Sequence, residues 1–261
     1  MTKKFTVIGS PIKHSRSPQL HEAGFREFEI DAIFEKTEVL PEDIETFLEE
    51  ADSYAGIAVT VPHKEEVLKH VDHITEAASI IGAANTLYWE NDELCATNTD
   101  AIGALKALQT QTELADKNVL VIGAGGAARA VLYALKEAGC QTLLYNRTYS
   151  KASTLAHQFD ATPLESLQLA IPDETDIIIN TTTVGMDESK SLLPKDFWRP
   201  QHIGFDIVYS PLYTQFLQDC EQAGGTSITG DKMLTYQALE QFRLWHGIEL
   251  EPEIMETAFF E

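Results

Sequence analysis

Basic residues are scarce in this sequence of 261 residues: 19 lysines and arginines stand against 41 aspartates and glutamates, a formal net charge of −22. A surface this acidic repels phosphate backbones and anionic lipids, which argues against binding to nucleic acid or to a membrane surface. An anionic ligand would have to be attracted by a local group of cations. Each lysine or arginine in a polar or glycine-rich loop is therefore informative.

Cysteines and long apolar runs are few as well. Cys95, Cys140 and Cys220 are odd in number and widely spaced, which fits neither a disulfide framework nor a metal site and indicates a reducing cytoplasm. No window approaches 18 uninterrupted apolar residues, and the first residues enter a strand pattern directly, without a secretion signal. We expect a cytoplasmic protein without a metal. Its oligomeric state, monomer or homodimer, stays open.

Two series of alternating strand-like and helix-like segments make up the chain. The first hundred residues follow a βαβαβα order, with a helix expected from Lys64 to Val71, and end in a hairpin over 84–99 that turns at Glu90-Asn91-Asp92. This order implies a largely parallel sheet covered by helices. A second series begins at Lys117, and a long helix follows from Asp231 to His246. At this length two α/β domains are the default.

The second series opens with a motif typical of dinucleotide binding. A buried strand over 118–122 leads into a glycine-rich turn and a helix. Gly123 permits a tight turn, Gly125 lets the backbone approach a pyrophosphate, and the small Ala128 allows close packing of helix and strand. Backbone N–H groups at the helix start would then face the phosphates. The strand-turn-helix context favours a Rossmann-like, doubly wound domain.

The end of the next strand indicates which dinucleotide is bound. An NAD site usually places a carboxylate there to hold the ribose 2′-hydroxyl. This sequence has Asn146, Arg147 and Thr148, with Lys151 one turn later. Arg147 can bind a 2′-phosphate with its planar fork, and Lys151 adds positive charge. These residues predict NADP(H). The structural alternative is a helix start capped by Asn146 or Thr148, with two surface cations.

Three polar clusters lie where strands of the first series are expected to end. Ser15 and Ser17 precede a helix, and they can either hold a carboxylate or polyol or simply cap that helix. Lys64 follows a strand, where a lone lysine is usually exposed to solvent. Asn85 and Asp100 flank the hairpin, and Asp100 is equally suited to capping the next helix.

Taken in order, these motifs resemble one enzyme family. The first half contains Ser-x-Ser-Pro at 15–18, Val-Thr-x-Pro-x-Lys at 59–64, Ala-x-Asn-Thr at 83–86 and Asn-Thr-Asp at 98–100. The second half contains Gly-Ala-Gly-Gly-Ala at 123–127, Asn-Arg-Thr at 146–148, Asn-Thr-Thr-Thr-Val-Gly-Met at 180–186, Asp-Ile-Val-Tyr at 206–209 and Met-Leu-x-x-Gln at 233–237. From residue 9 to about 247 the chain resembles the shikimate dehydrogenases.

The resemblance implies an architecture and a reaction. Residues 1–103, completed by C-terminal helices over 234–261, would form the substrate-binding catalytic domain, and 104–233 the NADP-binding Rossmann domain. The substrate would sit in a cleft between the domains. The enzyme would reversibly reduce 3-dehydroshikimate to shikimate with NADPH, a step in aromatic amino-acid biosynthesis. An ammonium beside the ketone oxygen can stabilise the growing negative charge and supply the proton.

The resemblance also assigns roles to individual residues. Lys64 matches the catalytic lysine, and Asp100 matches its acid–base partner, which would orient Lys64 and also contact the substrate. Ser15 and Ser17 match groups that hold the substrate carboxylate. The groups matched to its ring hydroxyls are Thr60, Asn85, Tyr209 and Gln237. The cofactor-binding positions are Gly123, Ala124, Gly125, Gly126, Ala127, Asn146, Arg147, Thr148 and Lys151, with Glu76, Ile207 and Gly230 lining the nicotinamide end.

Some positions depart from the family pattern. Ala58 stands where an Asn usually precedes Val-Thr, Ala101 replaces a common Gly, and Asp231-Lys232 replaces a Leu followed by a small residue. Two alternatives to the leading hypothesis remain. One is a quinate/shikimate dehydrogenase with relaxed cofactor use. The other is a non-catalytic NADP-binding sensor on the same scaffold, although such a protein would be expected to have lost Lys64 or Asp100.

Overall fold

The computed structural model describes residues 2–261, which form two compact units. Unit 1 runs up to Gly103 and is completed by Thr235–Glu261, whereas unit 2 is Ala104–Leu234. The two boundaries fall within two helices, α4 and α8, whose ranges are given below. Each unit has its own six-stranded sheet.

The secondary structure consists of twelve strands and nine α-helices over the described residues. The strands are β1 Lys3–Gly9, β2 Ala32–Glu38, β3 Gly56–Val59, β4 His73–Ile74, β5 Thr86–Glu90, β6 Glu93–Thr97, β7 Asn118–Ile122, β8 Gln141–Tyr145, β9 Thr162–Leu164, β10 Ile177–Asn180, β11 Ile203–Asp206 and β12 Thr226–Ile228. The helices are α1 Ser17–Glu27, α2 Ile44–Glu49, α3 Glu76–Ile81, α4 Asp100–Gln109, α5 Gly126–Glu137, α6 Tyr149–Gln158, α7 Gln215–Gln222, α8 Gly230–His246 and α9 Pro252–Phe259.

The sheet of unit 1 has the order β2-β1-β3-β5-β6-β4. Its first three strands are parallel, but β5 runs antiparallel to both β3 and β6. The sheet is therefore mixed, where the βαβαβα order predicted a largely parallel one. The register pairs Ile8 with Val59, Ala58 with Thr86, and Thr86 with Thr97. The carboxyl ends of β1, β3 and β6 and the start of β5 consequently share one edge, which positions the candidate site.

The hairpin prediction is confirmed, with a tighter turn than expected. Strands β5 and β6 pair from Thr86 and Thr97 to Glu90 and Glu93, so only Asn91 and Asp92 form the loop. Both residues have positive φ, 52° and 64°. A two-residue loop with this backbone matches the twist of an antiparallel pair, and Asn and Asp tolerate it better than most residues.

The predicted helix from Lys64 to Val71 is wrong. Only Glu66–Lys69 forms a short 3-10 helix, which buries Val67. The residues that follow join the sheet beside β6, where Asp72 N donates to Leu94 O and Thr75 N donates to Ala96 O. Strand pairing beside β6 thus outweighs the local helical pattern over this segment.

The second half of helix α8 packs into the core of unit 1. Trp245 donates a hydrogen bond from Nε1 to Leu87 O at 3.0 Å, and its ring centroid lies 5.3 Å from that of Phe5. Phe242, one turn earlier, is fully buried. Because these aromatic side chains bury large apolar areas, the last part of the chain is an integral part of the first sheet's core.

The sheet of unit 2 is wholly parallel and has the order β12-β11-β10-β7-β8-β9. Numbered from β7, this is the Rossmann order 3-2-1-4-5-6, with the direction of winding reversing between β7 and β10. The central strands read as continuous apolar runs, and Ile177, Ile178 and Ile179 are completely buried. The predicted α/β fold with a Rossmann-like second domain is confirmed.

Candidate active site

An ion pair lies at the shared edge of the unit 1 sheet. Lys64 follows β3 by a few residues, and its carbonyl accepts a hydrogen bond from Ala84 N at 2.7 Å. Its Nζ lies 2.6 Å from Asp100 Oδ2, with the two side chains only 16% and 8% exposed. A lysine at the end of a strand is usually solvated. Here it is held in a defined place beside a carboxylate.

Asp100 begins α4 but does not cap it. The capping group is Asn98, whose Oδ1 accepts hydrogen bonds from Asp100 N at 3.0 Å and Ala101 N at 3.3 Å. Asn98 is itself anchored through Nδ2 to Ala83 O. The capping alternative raised by the sequence is thereby excluded, and both oxygens of the Asp100 carboxylate bond to side chains of other segments.

Asn85 holds the second oxygen of that carboxylate. Its Nδ2 donates to Asp100 Oδ1 at 2.9 Å, while its Oδ1 accepts from Thr99 N at 2.7 Å. A backbone N–H can only donate, so this bond fixes which end of the Asn85 amide faces Thr99. The NH₂ end must then face Asp100. Asn85 is 2% exposed, and this buried amide orients the carboxylate that binds Lys64.

Gln237 joins the same cluster from α8. Its Oε1 accepts hydrogen bonds from Asn85 Nδ2 at 3.1 Å and Thr99 Oγ1 at 3.4 Å. The structure therefore brings four of the predicted residues together within unit 1, namely Lys64, Asp100, Asn85 and Gln237. Gln237 is separated from Asn85 by 152 positions in sequence.

The predicted serines lie at the start of α1. Ser15 Oγ is 3.3 Å from both Ser17 Oγ and Ser17 N, so it does satisfy one N–H of the helix start. The preceding loop is tied to the loop that follows β3, because Ser10 N donates to Val61 O and Thr60 N donates to Ile8 O. The serine loop and Thr60 thus leave the sheet at the same edge as Lys64.

The glycine-rich turn of unit 2 connects β7 to α5. Gly123 has φ +120°, and a Cβ there would lie 2.4 Å from Thr181 Oγ1, so only glycine fits. Gly125 is different, because a Cβ built on it would meet no atom within 4 Å. No side chain caps α5, whose N-cap is Gly125. The start of α5 thus has no side-chain cap and is uncrowded at Gly125, an arrangement suited to an anion.

Two cations follow β8. Arg147 and Lys151 are exposed, and within residues 2–261 neither side chain forms an ion pair or hydrogen bond. Thr148 is the N-cap of α6 but makes no side-chain cap, and Asn146 Nδ2 donates to Thr148 O at 3.0 Å. The capping alternative for Thr148 is not observed. Positive charge without a protein partner is suited to a phosphate.

A buried carboxyl organises the loops beyond β10 and β11. Asp206 accepts hydrogen bonds from Thr214 Oγ1 at 2.6 Å, Asn180 Nδ2 at 3.0 Å and Val208 N at 3.0 Å. Burial nevertheless raises the pKa of Asp206 to about 6, against the lowering effect of these three donors. Beside it, a Cβ on Gly230 would lie 2.5 Å from Ile207 O, so the predicted Ile207 and Gly230 are in direct contact.

The remaining two predicted residues lie in different units. Tyr209, predicted to contact substrate, belongs to unit 2 and is half-buried. Glu76, predicted to line the nicotinamide end, is the exposed first residue of α3 in unit 1. Their predicted roles stay predictions.

No role was assigned from the sequence to five residues of the buried hydrogen-bond network around Lys64, Asp100, Asn85 and Gln237. These five are His21, Thr86, Asn98, Thr99 and Gln241. Asn98 and Thr99 lie within the Asn-Thr-Asp motif but were given no role. Gln241 lies on the otherwise apolar face of the last long helix, and a polar amide in an apolar stripe was an available signal. His21 carried no comparable signal, since its partner is 220 positions away.

Two further properties bear on the class of site. Among residues 2–261, no group of three or more His, Cys, Asp or Glu side chains is placed to hold a metal ion. Nor does any helix in that range have the length and apolar content needed to cross a membrane.

Comparison with known proteins identifies the family. Models match for the shikimate dehydrogenase substrate binding domain over residues 7–87, shikimate / quinate 5-dehydrogenase over 105–187, and the shikimate 5′-dehydrogenase C-terminal domain over 232–258. A curated shikimate dehydrogenase (NADP(+)) from Pyrococcus furiosus is 41% identical over 258 residues, covering 97% of this chain and 94% of the relative. The chain belongs to the shikimate dehydrogenase family.

Solved structures agree with this assignment. Shikimate dehydrogenase from Aquifex aeolicus aligns with a TM-score of 0.95 and 37% identity, covering 100% of this chain and 98% of that one. Shikimate 5-dehydrogenase from Thermus thermophilus, solved in complex with NADP(H) and shikimate, aligns with a TM-score of 0.93 and 36% identity, covering 99% and 98%. The family predicted from the sequence motifs is confirmed.

Proposed function

We propose that this shikimate dehydrogenase family member catalyses the NADP-dependent, reversible reduction of 3-dehydroshikimate to shikimate. The observation that carries the proposal is the Lys64–Asp100 pair, 2.6 Å between Nζ and Oδ2 and held by buried amides at the edge of the unit 1 sheet. Relatives over nearly the whole chain carry the name shikimate dehydrogenase (NADP(+)). Unit 1 would bind the substrate and unit 2 the dinucleotide.

Lys64 is proposed as the acid–base group. Its ammonium can donate a hydrogen bond to the ketone oxygen and transfer a proton to that oxygen as negative charge develops. Asp100 keeps the ammonium oriented, and Asn85 keeps the carboxylate oriented in turn. In the reverse direction the neutral amine accepts the proton of the shikimate hydroxyl. A preorganised pair of this kind needs little rearrangement at the moment of reaction.

The substrate would be oriented by the polar groups along the same edge. Hydroxyls of Ser15 and Ser17 are suited to donating hydrogen bonds to the carboxylate. Thr60, Asn85, Asp100, Tyr209 and Gln237 are proposed to contact the ring hydroxyls. Gln237 Nε2 and the Thr60 hydroxyl are donors suited to such contacts, and Asp100 is an acceptor. A substrate held by several such groups is positioned as well as bound.

The residues of unit 2 fit NADP(H). The open space at Gly125 and the uncapped start of α5 suit a pyrophosphate over Gly123, Ala124, Gly125, Gly126 and Ala127. Arg147 and Lys151, with Asn146 and Thr148, are proposed to hold the 2′-phosphate, and Glu76, Ile207 and Gly230 the nicotinamide end. When bound, the reduced cofactor supplies the hydride.

A second candidate is an enzyme that accepts quinate as well, with relaxed cofactor use. One family model covers both shikimate and quinate 5-dehydrogenases. Ala58, which replaces the family's usual Asn, is paired with Thr86 in the sheet and presents only a methyl group. A pocket lacking that amide could tolerate a different pattern of ring hydroxyls.

The cellular location is proposed from the cysteines. Cys95, Cys140 and Cys220 are all free, and burial raises the pKa of the Cys140 and Cys220 thiols to about 11. Thiols of this kind are unreactive and need no partner. We place the protein in the reducing cytoplasm, as a monomer or a homodimer.

The test is a two-substrate, two-cofactor assay on the wild-type protein. Oxidation of shikimate and of quinate is followed with NADP and with NAD, and kcat/KM is compared for the four combinations. We expect shikimate with NADP to exceed the other three by at least tenfold. Comparable values for quinate would favour the second candidate, and no turnover in any combination would refute the enzymatic function.

A further inference from the structure

Gln241, one turn after Gln237 on α8, contacts the active-site network from behind. Its Nε2 donates hydrogen bonds to Thr86 Oγ1 at 3.0 Å and to Asn85 O at 3.1 Å. Gln241 is 1% exposed, and Thr86 is completely buried. Substrate held beside Lys64 by the groups proposed above would not need to touch Gln241, so any effect of this amide on catalysis must pass through other residues.

The Gln241 amide determines which ring nitrogen of His21 carries the proton. His21 Nε2 lies 3.2 Å from Gln241 Oε1, and the imidazole is stacked on Phe34 with ring centroids 4.6 Å apart. Burial lowers the pKa of His21 to about 3, so the ring is neutral at physiological pH. Since the Gln241 NH₂ already donates twice, its oxygen must face His21, and Nε2 of the imidazole must carry the proton.

From Gln241 a series of hydrogen bonds leads through Thr86 and Asn85 to the Lys64–Asp100 pair. Thr86 Oγ1 accepts from Gln241 and donates its own proton to Asn85 Oδ1 at 2.9 Å, which is nearer than the other oxygen within reach, Thr99 Oγ1 at 3.4 Å. Asn85 Oδ1 thus accepts from Thr86 as well as from Thr99 N, and Asn85 Nδ2 donates to Asp100 Oδ1. Asp100 Oδ2 finally accepts from Lys64 Nζ. A continuous, directional chain thus runs from His21 to the ammonium.

We propose that Gln241 is a positioning residue for the Lys64–Asp100 pair, acting through Thr86 and Asn85. The inference rests on the proposed dehydrogenase function. Hydrogen bonds linked in a chain in a buried site polarise one another. Loss of one donor therefore makes the positions of the groups farther along the chain less well defined. Without Gln241 the Thr86 hydroxyl can rotate away from Asn85. The oxygen of the Asn85 amide is then held by Thr99 alone, which loosens the Asp100 carboxylate and hence the ammonium.

A purely structural role for Gln241, joining α8 to β5, predicts a different result. Loss of a buried hydrogen bond would then lower the thermal stability and leave the folded enzyme fully active. The positioning role predicts a fall in kcat, measured per folded molecule, with an unchanged KM for NADPH, because the cofactor-binding residues of unit 2 are not altered.

The first variant is Gln241→Met, which keeps the length of the side chain and removes both hydrogen-bonding groups. We expect kcat for 3-dehydroshikimate reduction to fall about tenfold, with the KM for NADPH within twofold of wild type. The matched control is Leu239→Met, a volume-conserving change at a residue of α8 that is 8% exposed, for which we expect wild-type kcat. An unchanged kcat in Gln241→Met overturns the inference.

The second test identifies the route through Thr86. Thr86→Ser keeps the hydroxyl and should retain most of kcat, whereas Thr86→Val removes it and should lose about as much as Gln241→Met. In the double variant the two losses should not multiply, since both interrupt the same chain. Multiplied losses, or full activity of Thr86→Val, overturn the inference. If Gln241→Met does not fold, the comparison of Thr86→Ser with Thr86→Val tests the inference by itself. An inactive wild type would instead refute the proposed function.

Discussion

Lys64 in unit 1 and Arg147 in unit 2 are both cations near the carboxyl end of a strand, yet their surroundings differ. Lys64 is largely buried and paired with Asp100, and the amides and hydroxyl behind that pair are hydrogen-bonded in turn. Arg147 is exposed and forms no ion pair within residues 2–261. The proposed roles account for this difference, because a group that reacts benefits from a fixed environment, whereas a group that binds an anion keeps its hydrogen-bonding capacity free until the ligand arrives.

Buried titratable groups show a second difference between the units. His21 in unit 1 has its pKa lowered to about 3, and Asp206 in unit 2 has its pKa raised to about 6, in both cases mainly because burial disfavours the charged form. Both groups are therefore held neutral over part of the pH range. Acid affects them in opposite ways, since protonation charges a histidine and neutralises an aspartate.

Replacement of Lys64 tests the comparison of the two cations most directly. Lys64→Met removes the proposed acid–base group, and we expect kcat to fall about a thousandfold, within the usual range for general acid–base catalysis. The matched control is Lys69→Met, which removes an exposed lysine that pairs with Glu66. This control should stay within twofold of wild type. A Lys64→Met enzyme that retained more than a tenth of kcat would contradict the assigned role.

The stability of the two units should depend on pH in opposite directions. The stability that unit 1 gains from a neutral His21 is present above pH 6.5 and is lost as the pH falls towards 3. The contribution of Asp206 has the opposite sign, since its folded pKa is raised: it is lost as the pH rises through 6 and regained on acidification. Between pH 7 and 4.5 each group should shift the stability of its unit by roughly 2 kcal/mol.

Hydrogen exchange, corrected for the intrinsic effect of pH on the rate, measures this difference in peptides from β1 and β7. Protection of β7 relative to β1 should increase on acidification. Asp206→Asn removes the titrating carboxyl and should abolish the gain of unit 2. Parallel changes in both peptides would show that the two buried groups do not govern the stability of their units.

The smallest expected effect concerns the choice of cofactor. Arg147→Ala should lower kcat/KM for NADP about thirtyfold relative to NAD, the cost of one charge-assisted hydrogen-bonding group. Lys136→Ala is the control, because Lys136 is a surface lysine of the same unit that pairs with Asp160. Equal losses of kcat/KM with NADP and with NAD would contradict the proposed contact of Arg147 with the 2′-phosphate.

The sequence predicted those parts of the fold and site that are local. The β7–turn–α5 motif carries its information in adjacent residues, with Gly123 in a conformation that only glycine adopts easily. The hairpin turn is likewise encoded by Asn91 and Asp92. Lys64 and Asp100 were assigned through motifs, and the structure contributes the distance between them and the identity of Asn98 as the cap.

What the sequence could not predict depends on contacts between distant segments. Strands β4, β9 and β12 have only two or three residues, too few for a period-two pattern, and exist because a neighbouring strand offers hydrogen bonds. The Glu66–Lys69 segment has a helical pattern that strand pairing interrupts. The contact of His21 with Gln241 likewise needs the packed core before it can be recognised.

The place of α8 in unit 1 has a consequence for biosynthesis. Trp245 and Phe242 follow unit 2 in the chain, although Phe5 and Phe25, against which they pack, precede it. Unit 2, a continuous segment, can complete its parallel sheet while the earlier unit still lacks one side of its core. Unit 1 is therefore expected to complete its core only after unit 2 has been translated, although its first strands are made earlier.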